Sequence, residues 1–493
     1  MKRILLIFVP LLLLAGACTD DISSLNIETK RPAAVPAPTL FSNAVKTLSG
    51  TLASASVNTN VFRFTVSHWA MAVYQDEAQY DFNTRNIPQG FWTIMYRDVL
   101  ADLRESTKLI TADATLSAGE KANKLAINDI LEVYTYSVLV NTFGNIPYKE
   151  SLDAAKLFPV YDDAKTVSAD LLTRLNADIT KLNTSAAGYA SGEDLVYKGS
   201  ISKWVKFANT LRFKLGMVLV DADATAAKTA AEASDAGAIS ASADNGLFAY
   251  LAASPNQNPL YADIVLGGRQ DYIAAKDLMD KLLGWNDPRT GKFFSKNNAG
   301  NYAGGIVGKA NTFVNFSRAG AKVIDAADPY VLADYTETEF LRAEAKERGF
   351  NISGTAVDHY NKAITSSILY WGGTAADAAA YLAQPEVAYA TAAGDWKQKI
   401  GTQKWIALYN RPYEGWVEIR RLDQPKIAAP VNAKSGFPTR LPYPNTEQTL
   451  NGKNYTAAAS AIGGDVVTTK LLPHTNRIFY ISFHLRYSHF NLL

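Results

Sequence analysis

Two neighbouring stretches decide the fold of this chain: Thr336–Ala345, with the sequence TETEFLRAEA, and Thr355–Trp371, with the sequence TAVDHYNKAITSSILYW. In each stretch a threonine is followed three residues later by an acidic residue, the spacing of a capping box at a helix start. In the second stretch, apolar side chains recur every three or four residues from Val357 to Trp371. This period is typical of one buried helix face. The sequence therefore predicts two helices that end near Gly349 and at Gly372-Gly373, an antiparallel pair of about 35 residues.

The same helical period of apolar residues appears in many other segments. Apolar stripes run through 127–138 and 204–219, and further helices are predicted at 39–56, 60–78, 89–111, 163–182, 272–283 and 395–410. Helix pairs of about 34 residues are the unit of tetratricopeptide-type solenoids, in which each pair buries its apolar face on its neighbours. We predict a mostly α fold in which tetratricopeptide-like helix pairs form a scaffold with a large irregular, loop-rich insertion.

Two intervals lack this periodicity. Residues 244–330 are rich in Asn, Gly, Pro and aromatic residues, and 411–470 also read as irregular. Such segments form loops, and loops held on a rigid scaffold often carry binding groups. We expect the two intervals to pack together on one side of the helices. Asp287-Pro288-Arg289 is interpreted as a structural turn with an ion pair.

The amino terminus has the three-part layout of a secretory signal. Lys2 and Arg3 precede an apolar run, Ile4 to Leu14, and the small residues before Cys18 suit a signal peptidase. The run is shorter than the roughly 20 residues that span a bilayer. We predict a signal peptide at 1–17, lipidation of Cys18 and a lipidated tether at 18–38. The alternative is an ordinary secretory cleavage site beside a cysteine, but this is the only cysteine and has no disulfide partner.

The charge balance and the aromatic content of the chain indicate which classes of ligand are favoured. Lys plus Arg (49) nearly balance Asp plus Glu (47), so no strong positive field favours nucleic acid as a partner. The 25 Tyr and 8 Trp supply faces that can stack on sugar rings, although most such rings are expected in the core. Trp204, Trp371 and Trp405 lie on helical stripes and are assigned to the core.

Other aromatic residues neighbour polar, turn-forming residues in two regions, 74–92 and 285–318. Sugar recognition needs aromatic faces for the C–H side of the ring and amides or charged groups for the hydroxyls. From these two regions we predict a ligand-binding set: Tyr80, Asn83, Trp92, Trp285, Asn301 and Tyr302.

No motif in the chain indicates a catalytic residue, a cofactor or a metal. Gly305–Ala310 resembles a phosphate loop, but Ala303 and Ala310 replace two required residues. His474, His484 and His489 lack a metal-ligand spacing. Two alternatives to a binding protein stay open: a glycoside hydrolase, which needs only two suitably spaced carboxylates, and a structural scaffold of an outer-membrane complex that binds no nutrient.

Several motifs, in order, resemble the SusD/RagB-like nutrient-binding lipoproteins of the Bacteroidetes outer membrane, most closely their second SusD-like subgroup. Besides the lipoprotein start, the resemblance rests on Asn141–Tyr148 (NTFGNIPY), Asn286–Arg289, Glu339–Ala345 and Tyr409–Arg421. It covers one domain, 39–471, and the tail at 472–493 departs from the family pattern.

The resemblance implies four tetratricopeptide-like pairs and a non-enzymatic role. A member captures an oligosaccharide or a peptide at the cell surface and delivers it to a SusC-like TonB-dependent outer-membrane transporter. In this family the acidic pair Asp20-Asp21 resembles a signal for export to the outer face of the membrane; otherwise it is part of a solvated tether.

Overall fold

The computed structural model describes residues 35–474, so Cys18, the signal peptide, most of the tether and the tail beyond residue 474 lie outside the described part. Within that part the α-helices, numbered α1 to α18 in chain order, are Ala37–Ala53, Phe62–Thr65, Ile87–Thr93, Ala101–Ala112, Ala118–Phe143, Ala164–Lys181, Ile201–Leu219, Ala224–Ser234, Pro259–Tyr261, Lys276–Gly284, Thr290–Phe293, Tyr335–Glu347, Ala356–Tyr370, Ala375–Leu382, Trp396–Ala407, Pro412–Leu422, Asn445–Leu450 and Gly452–Ala461. A π-helical segment, Ile94–Leu100, joins α3 to α4. The mostly α prediction is confirmed.

Eight short strands form four two-stranded antiparallel sheets in the described residues. In chain order β1 to β8 are Trp69–Met71, Ile146–Pro147, Tyr161–Asp162, Gly246–Phe248, Tyr272–Ala274, Phe294–Ser295, Arg318–Ala319 and Tyr330–Ala333. The pairs are β1 with β5, β2 with β3, β4 with β8 and β6 with β7. The pairs β1–β5 and β4–β8 join segments that are far apart in sequence.

The predicted antiparallel pair is present as α12 and α13, which pack against each other. Thr355 caps α13 by accepting a hydrogen bond from the Asp358 amide at 3.1 Å, as predicted. The predicted cap of α12 is two residues off, because the Asp334 carboxylate accepts from the Glu337 amide at 2.8 Å instead. Thr336 donates to Ser366 Oγ at 2.9 Å and so ties α12 to α13.

Further helix pairs extend the scaffold. Helix α5 packs on α6, α7 on α8 and α15 on α16, while α12 contacts both α7 and α15. The apolar stripe of α13, including Tyr360, Ile364 and Ile368, meets Phe340 of α12 in a common core. Val357, expected on that stripe, is instead exposed on the first turn of α13.

Buried ion pairs join the helices of this scaffold. Arg411, just before α16, contacts Glu337 of α12 at 2.6 Å and Asp334 at 3.2 Å. Lys214 of α7 contacts the other carboxylate oxygen of Glu337 at 3.1 Å. Burying such charges is costly unless they are paired. These buried pairs therefore link α7, α12 and the start of α16.

The structure corrects three predicted segments. The helix predicted at 60–78 is replaced by the short α2 and by β1, because β1 pairs with the remote β5. The helix predicted at 272–283 begins with β5 and becomes α10 only at Lys276. The interval 411–470, expected to be irregular, starts with α16 and later contains α17 and α18. Helix α16 buries several charged residues, which hide its apolar period from the sequence.

The two loop-rich intervals contact each other. The Val431 amide donates to the Val307 carbonyl at 3.0 Å, and the Lys434 amide donates to the Gln79 carbonyl at 2.8 Å. Loops from three distant parts of the chain thus meet on one side of the scaffold.

Candidate functional site

Exposed aromatic and amide side chains lie on two loop segments, 72–79 and 296–318, which we call the loop platform. Strand β1 leads into the first segment and pairs with β5. The Ala274 amide at the end of β5 donates to the Ser317 carbonyl at 2.8 Å, and the Gly305 amide donates to the Ala274 carbonyl at 2.8 Å. Both segments are therefore fixed to one small sheet.

Direct hydrogen bonds also join the two segments of the loop platform. The Asn311 amide donates to the Ala72 carbonyl at 3.0 Å, and Asn311 Nδ2 donates to the Met71 carbonyl at 2.9 Å. Gln79 Nε2 donates to the Gly308 carbonyl at 2.8 Å. Hydrogen bonds thus hold segments 72–79 and 296–318 together.

Tyr74 is the most exposed aromatic side chain of the loop platform, with 62% of its surface accessible. Its backbone is left-handed, with φ 57°, a conformation that costs energy for a bulky residue. Such strain is often found where a side chain has a binding role. Exposed apolar side chains on the same segments are Val73, Ile306 and Val314. The surface therefore offers apolar contact area that packing inside the chain does not use.

Amide side chains of the loop platform fall into two groups. Asn297 organises the loop: its Oδ1 accepts from the Asn301 amide at 2.9 Å, and its Nδ2 donates to the Asn315 carbonyl at 2.8 Å. Asn301 and Asn315 are exposed, and their side chains form no hydrogen bond within residues 35–474. These two amides can thus bind a ligand without breaking an internal hydrogen bond.

Arg318 and Tyr302 add polar and aromatic groups. The Arg318 guanidinium lies 5.4 Å from the Phe313 ring centre and donates to Asn298 Oδ1 at 3.2 Å. Tyr302 is half-buried, with Lys296 Nζ 5.7 Å from its ring centre. Of the predicted ligand set, the loop platform contains Asn301 and Tyr302.

Tyr80 and Trp92 require correction, because both are buried. Trp92 is 7% exposed and packs against Tyr96 and Phe143, with ring centres 4.8 and 4.9 Å apart. Tyr80 is 3% exposed and meets the edge of Phe437. Because so little of either side chain is exposed, neither ring can stack on a ligand in this structure. Asn83 is exposed, on a turn held by the Asp81 carboxylate outside the loop platform.

Trp285 lies at the end of α10, away from the loop platform. It is half-buried, and Lys281 Nζ is 4.6 Å from its ring centre. Burial lowers the pKa of Lys281. Two concavities of about 430 and 420 Å³ are both lined by Lys281 and Trp285. Trp285 is therefore accessible, but it belongs to a separate cleft.

The structural assignments made from the sequence are confirmed. Trp204, Trp371 and Trp405 are buried. Asp287 and Arg289 form a buried ion pair of 2.6 Å that anchors the turn before α11. The predicted ligand set did not include Tyr74, because the exposure of a side chain depends on tertiary contacts that local composition does not reveal.

Within the described part of the chain, His, Cys, Asp and Glu nowhere gather in threes in a way that could hold a metal ion. In the same residues, none of the helices has both the length and the apolar character needed to cross a bilayer.

Solved structures similar to this chain are SusD-like proteins. A chitin-binding SusD homologue from Flavobacterium johnsoniae is 24% identical, with a TM-score of 0.75 over 88% of this chain and 99% of the other. A Bacteroidetes SusD-like protein is 20% identical, with a TM-score of 0.77 over 89% of this chain and 100% of the other. A SusD homologue from Bacteroides uniformis is 25% identical, with a TM-score of 0.74 over 88% and 98%. Among curated proteins, none matches this chain in sequence.

The family comparison covers most of the chain. The SusD-like_2 family, described as starch-binding and associating with the outer membrane, matches residues 29–444. This range includes the helix pairs, both segments of the loop platform and the cleft at Trp285. The chain therefore belongs to the SusD-like_2 family.

Proposed function

We propose that this protein binds a carbohydrate at the loop platform without cleaving it. The observation that carries the proposal is that the exposed Tyr74 lies on loops hydrogen-bonded to those of Asn301 and Asn315, whose side-chain amides have no partner within residues 35–474. A sugar ring presents a C–H face that stacks on an aromatic ring, and hydroxyls that bind amides. The family description as starch-binding and the chitin-binding homologue support a glycan as ligand.

The charge of the loop platform favours binding over hydrolysis. Residues 296–318 contain no Asp or Glu, and 72–79 contain only Asp76 and Glu77. Glu77 is buried and paired with Arg85, and burial raises the pKa of its carboxyl. A typical glycosidase needs two carboxylates flanking the scissile bond. The loop platform offers only Asp76 for that role, so the glycoside hydrolase is the weaker alternative.

We further propose that Cys18 carries lipid and holds the protein on the outer surface of the outer membrane. From there it passes its cargo, an oligosaccharide or short peptide, to a SusC-like TonB-dependent transporter. The signal layout before Cys18 and the family's association with the outer membrane support this role. In a bacterial host, Cys18→Ser should move the protein from the membrane fraction to the soluble fraction and abolish labelling by a fatty acid. A C18S protein that stays membrane-bound and labelled would contradict lipidation at this residue.

Replacing Tyr74 tests the binding site. In calorimetric titrations with chitin and starch oligosaccharides, Tyr74→Ala should weaken the binding of the retained glycan about tenfold, because a stacked ring contributes about 0.5–1.5 kcal/mol beyond its buried area. Asn301→Ala should weaken it less. The matched control is Phe158→Ala, since Phe158 is 63% exposed but lies outside the loop platform.

The proposal requires that Y74A weakens glycan binding and that F158A does not. Equal affinity of folded Y74A and the parent protein, or an equal loss in F158A, would remove the loop platform as the binding site.

A further inference from the structure

A further cavity, separate from the loop platform and from the two concavities at Trp285, lies where the described chain ends. It has a volume of about 580 Å³ and is lined by part of α16, the segment after it and His474. Five cationic side chains also line it; Arg421 and Lys426 pair with carboxylates, which leaves Lys397, Arg420 and Lys470. They come from α15, from α16 and from the end of the chain, so folding alone brings them to one cavity.

The acidic side chains of this cavity already have partners. Asp221 pairs with Arg348 at 3.0 Å, and Asp423 pairs with Lys426 at 2.5 Å. Asp395 caps α15 by accepting from the Gln398 amide at 2.9 Å. The cavity's carboxylates are thus held by groups other than its three free cations.

The cationic side chains lack such partners. Within residues 35–474, Lys397, Arg420 and Lys470 form no ion pair with a carboxylate. Arg420 donates from Nη1 to the carbonyls of Asn141 at 2.8 Å and Thr439 at 2.6 Å, and its guanidinium stacks 3.6 Å from the Trp416 ring centre. These contacts position the guanidinium but do not neutralise it.

Three buried polar atoms on residues that line the cavity have no hydrogen-bond partner in the described residues: Arg420 Nη2, Arg421 Nε and His474 Nδ1. Arg420 is only 3% exposed, so water outside the cavity does not solvate it. An unsatisfied buried polar group costs about 1–3 kcal/mol, and more when it is charged. The residues around the cavity therefore carry an uncompensated desolvation cost.

We propose that this cavity binds an anionic group, the carboxylate, sulfate or phosphate of a small ligand, through Arg420 with Lys470 and Lys397. Guanidinium groups bind such oxyanions through short, charge-assisted hydrogen bonds. The site is independent of glycan binding at the loop platform, so either can hold without the other.

The electrostatic environment of His474 agrees with this assignment. Burial and the nearby positive charges of Arg420 and Lys470 lower the pKa of His474 to about 3. Burial likewise lowers the pKa of Arg420 to about 9. At His474, the contribution of Arg420 and Lys470 agrees with a positive charge at this cavity.

The test is calorimetric titration of the mature protein with sodium sulfate, sodium phosphate and glucuronate at constant ionic strength, with glucose as the neutral probe. At least one anion should bind saturably, and glucose should not. Lys470→Gln should weaken that binding at least fivefold, and Arg420→Gln should abolish it. Because Arg420 also holds backbone carbonyls, R420Q is interpreted only if its circular dichroism matches the parent. Lys470 is exposed, so K470Q tests the site even if R420Q unfolds.

Lys362→Gln is the matched control, because Lys362 is exposed on α13 outside the cavity. Unchanged anion binding in K362Q, together with a loss in K470Q, would support the proposal. Failure of all three anions to bind, or an equal affinity in K470Q, would overturn it. Binding that appears only after residues 475–493 are deleted would also overturn it, because the chain's own tail would then be the occupant.

Discussion

At the residue scale, Tyr74 and Trp92 show how similar local sequence leads to opposite environments. Both stand among polar and turn-forming residues. Trp92 is covered by Phe143 and Tyr443, which arrive from α5 and from the segment before α17. Among the described residues, Tyr74 has no such ring contact, and its backbone is left-handed. Which aromatic is free for a ligand depends on these distant contacts, so composition alone could not separate the two.

The burial of Trp92 gives a stability prediction. Trp92→Ala should lower the free energy of unfolding by about 3–5 kcal/mol, because it leaves a cavity inside an aromatic cluster. Trp285→Ala should cost clearly less, since Trp285 is half-buried at a cleft. Urea unfolding followed by circular dichroism measures both. A W92A protein with parental stability but no glycan binding would show that Trp92 is a ligand residue after all.

At the element scale, the helices with a clear apolar period were predicted and the others were not. The stripes at 127–138 and 204–219 lie within α5 and α7. The sequence did not predict β1, whose strand conformation depends on pairing with β5 some two hundred residues away in sequence. It also did not predict α16, which buries Glu414, Glu418, Arg420 and Arg421. In both cases a tertiary partner decides the local structure.

The interface of α5 and α6 gives a pH-dependent prediction. Asp178 of α6 is buried beside Asp129 of α5, and burial together with this neighbouring carboxylate raises the pKa of Asp178. The folded state therefore keeps a proton that the unfolded state loses once the pH exceeds about 3.8. The stability that this proton contributes is complete at low pH and is lost as the pH rises toward the raised value.

Asp178→Asn removes that titration. Relative to the parent, D178N should gain at least about 1 kcal/mol of unfolding free energy between pH 4 and pH 8. Urea unfolding at the two pH values measures the change, and Asp280→Asn, at an exposed carboxyl of α10, serves as the control. A parallel pH dependence of D178N and the parent would contradict the raised pKa.

At the scale of the whole molecule, buried charges connect helices from distant parts of the chain. Arg411 joins α12 to α16, and Lys404 of α15 contacts Glu418 of α16 at 3.0 Å. Arg411→Ala should lower the free energy of unfolding by about 3–5 kcal/mol, because Asp334 and Glu337 would lose a buried counter-charge. Arg97→Ala should change it little, since Arg97 is exposed beside Asp98. Equal unfolding midpoints in urea for the two variants would contradict a stabilising role for the buried network.

Contacts between distant parts of the molecule explain which features of the candidate site could be predicted from the sequence. The sequence indicated that 74–92 and 285–318 are aromatic and polar regions. The predicted ligand set included Asn301 and Tyr302, which both lie on the loop platform. The sequence could not show that the β1–β5 pair and Asn311 join these regions. Nor could it place Trp285 at a cleft of its own. The groups were visible in the sequence, whereas their assembly depends on long-range hydrogen bonds.

The central claim is that the protein retains a glycan without cleaving it. The most direct measurement incubates the purified mature protein with a panel of oligosaccharides, including chitin and starch fragments, and follows both bound ligand and released products by mass spectrometry. The account predicts saturable retention of at least one glycan, with its length unchanged after prolonged incubation. Shortened products that disappear when one carboxylate is replaced, or no retention of any glycan in the panel, would contradict it.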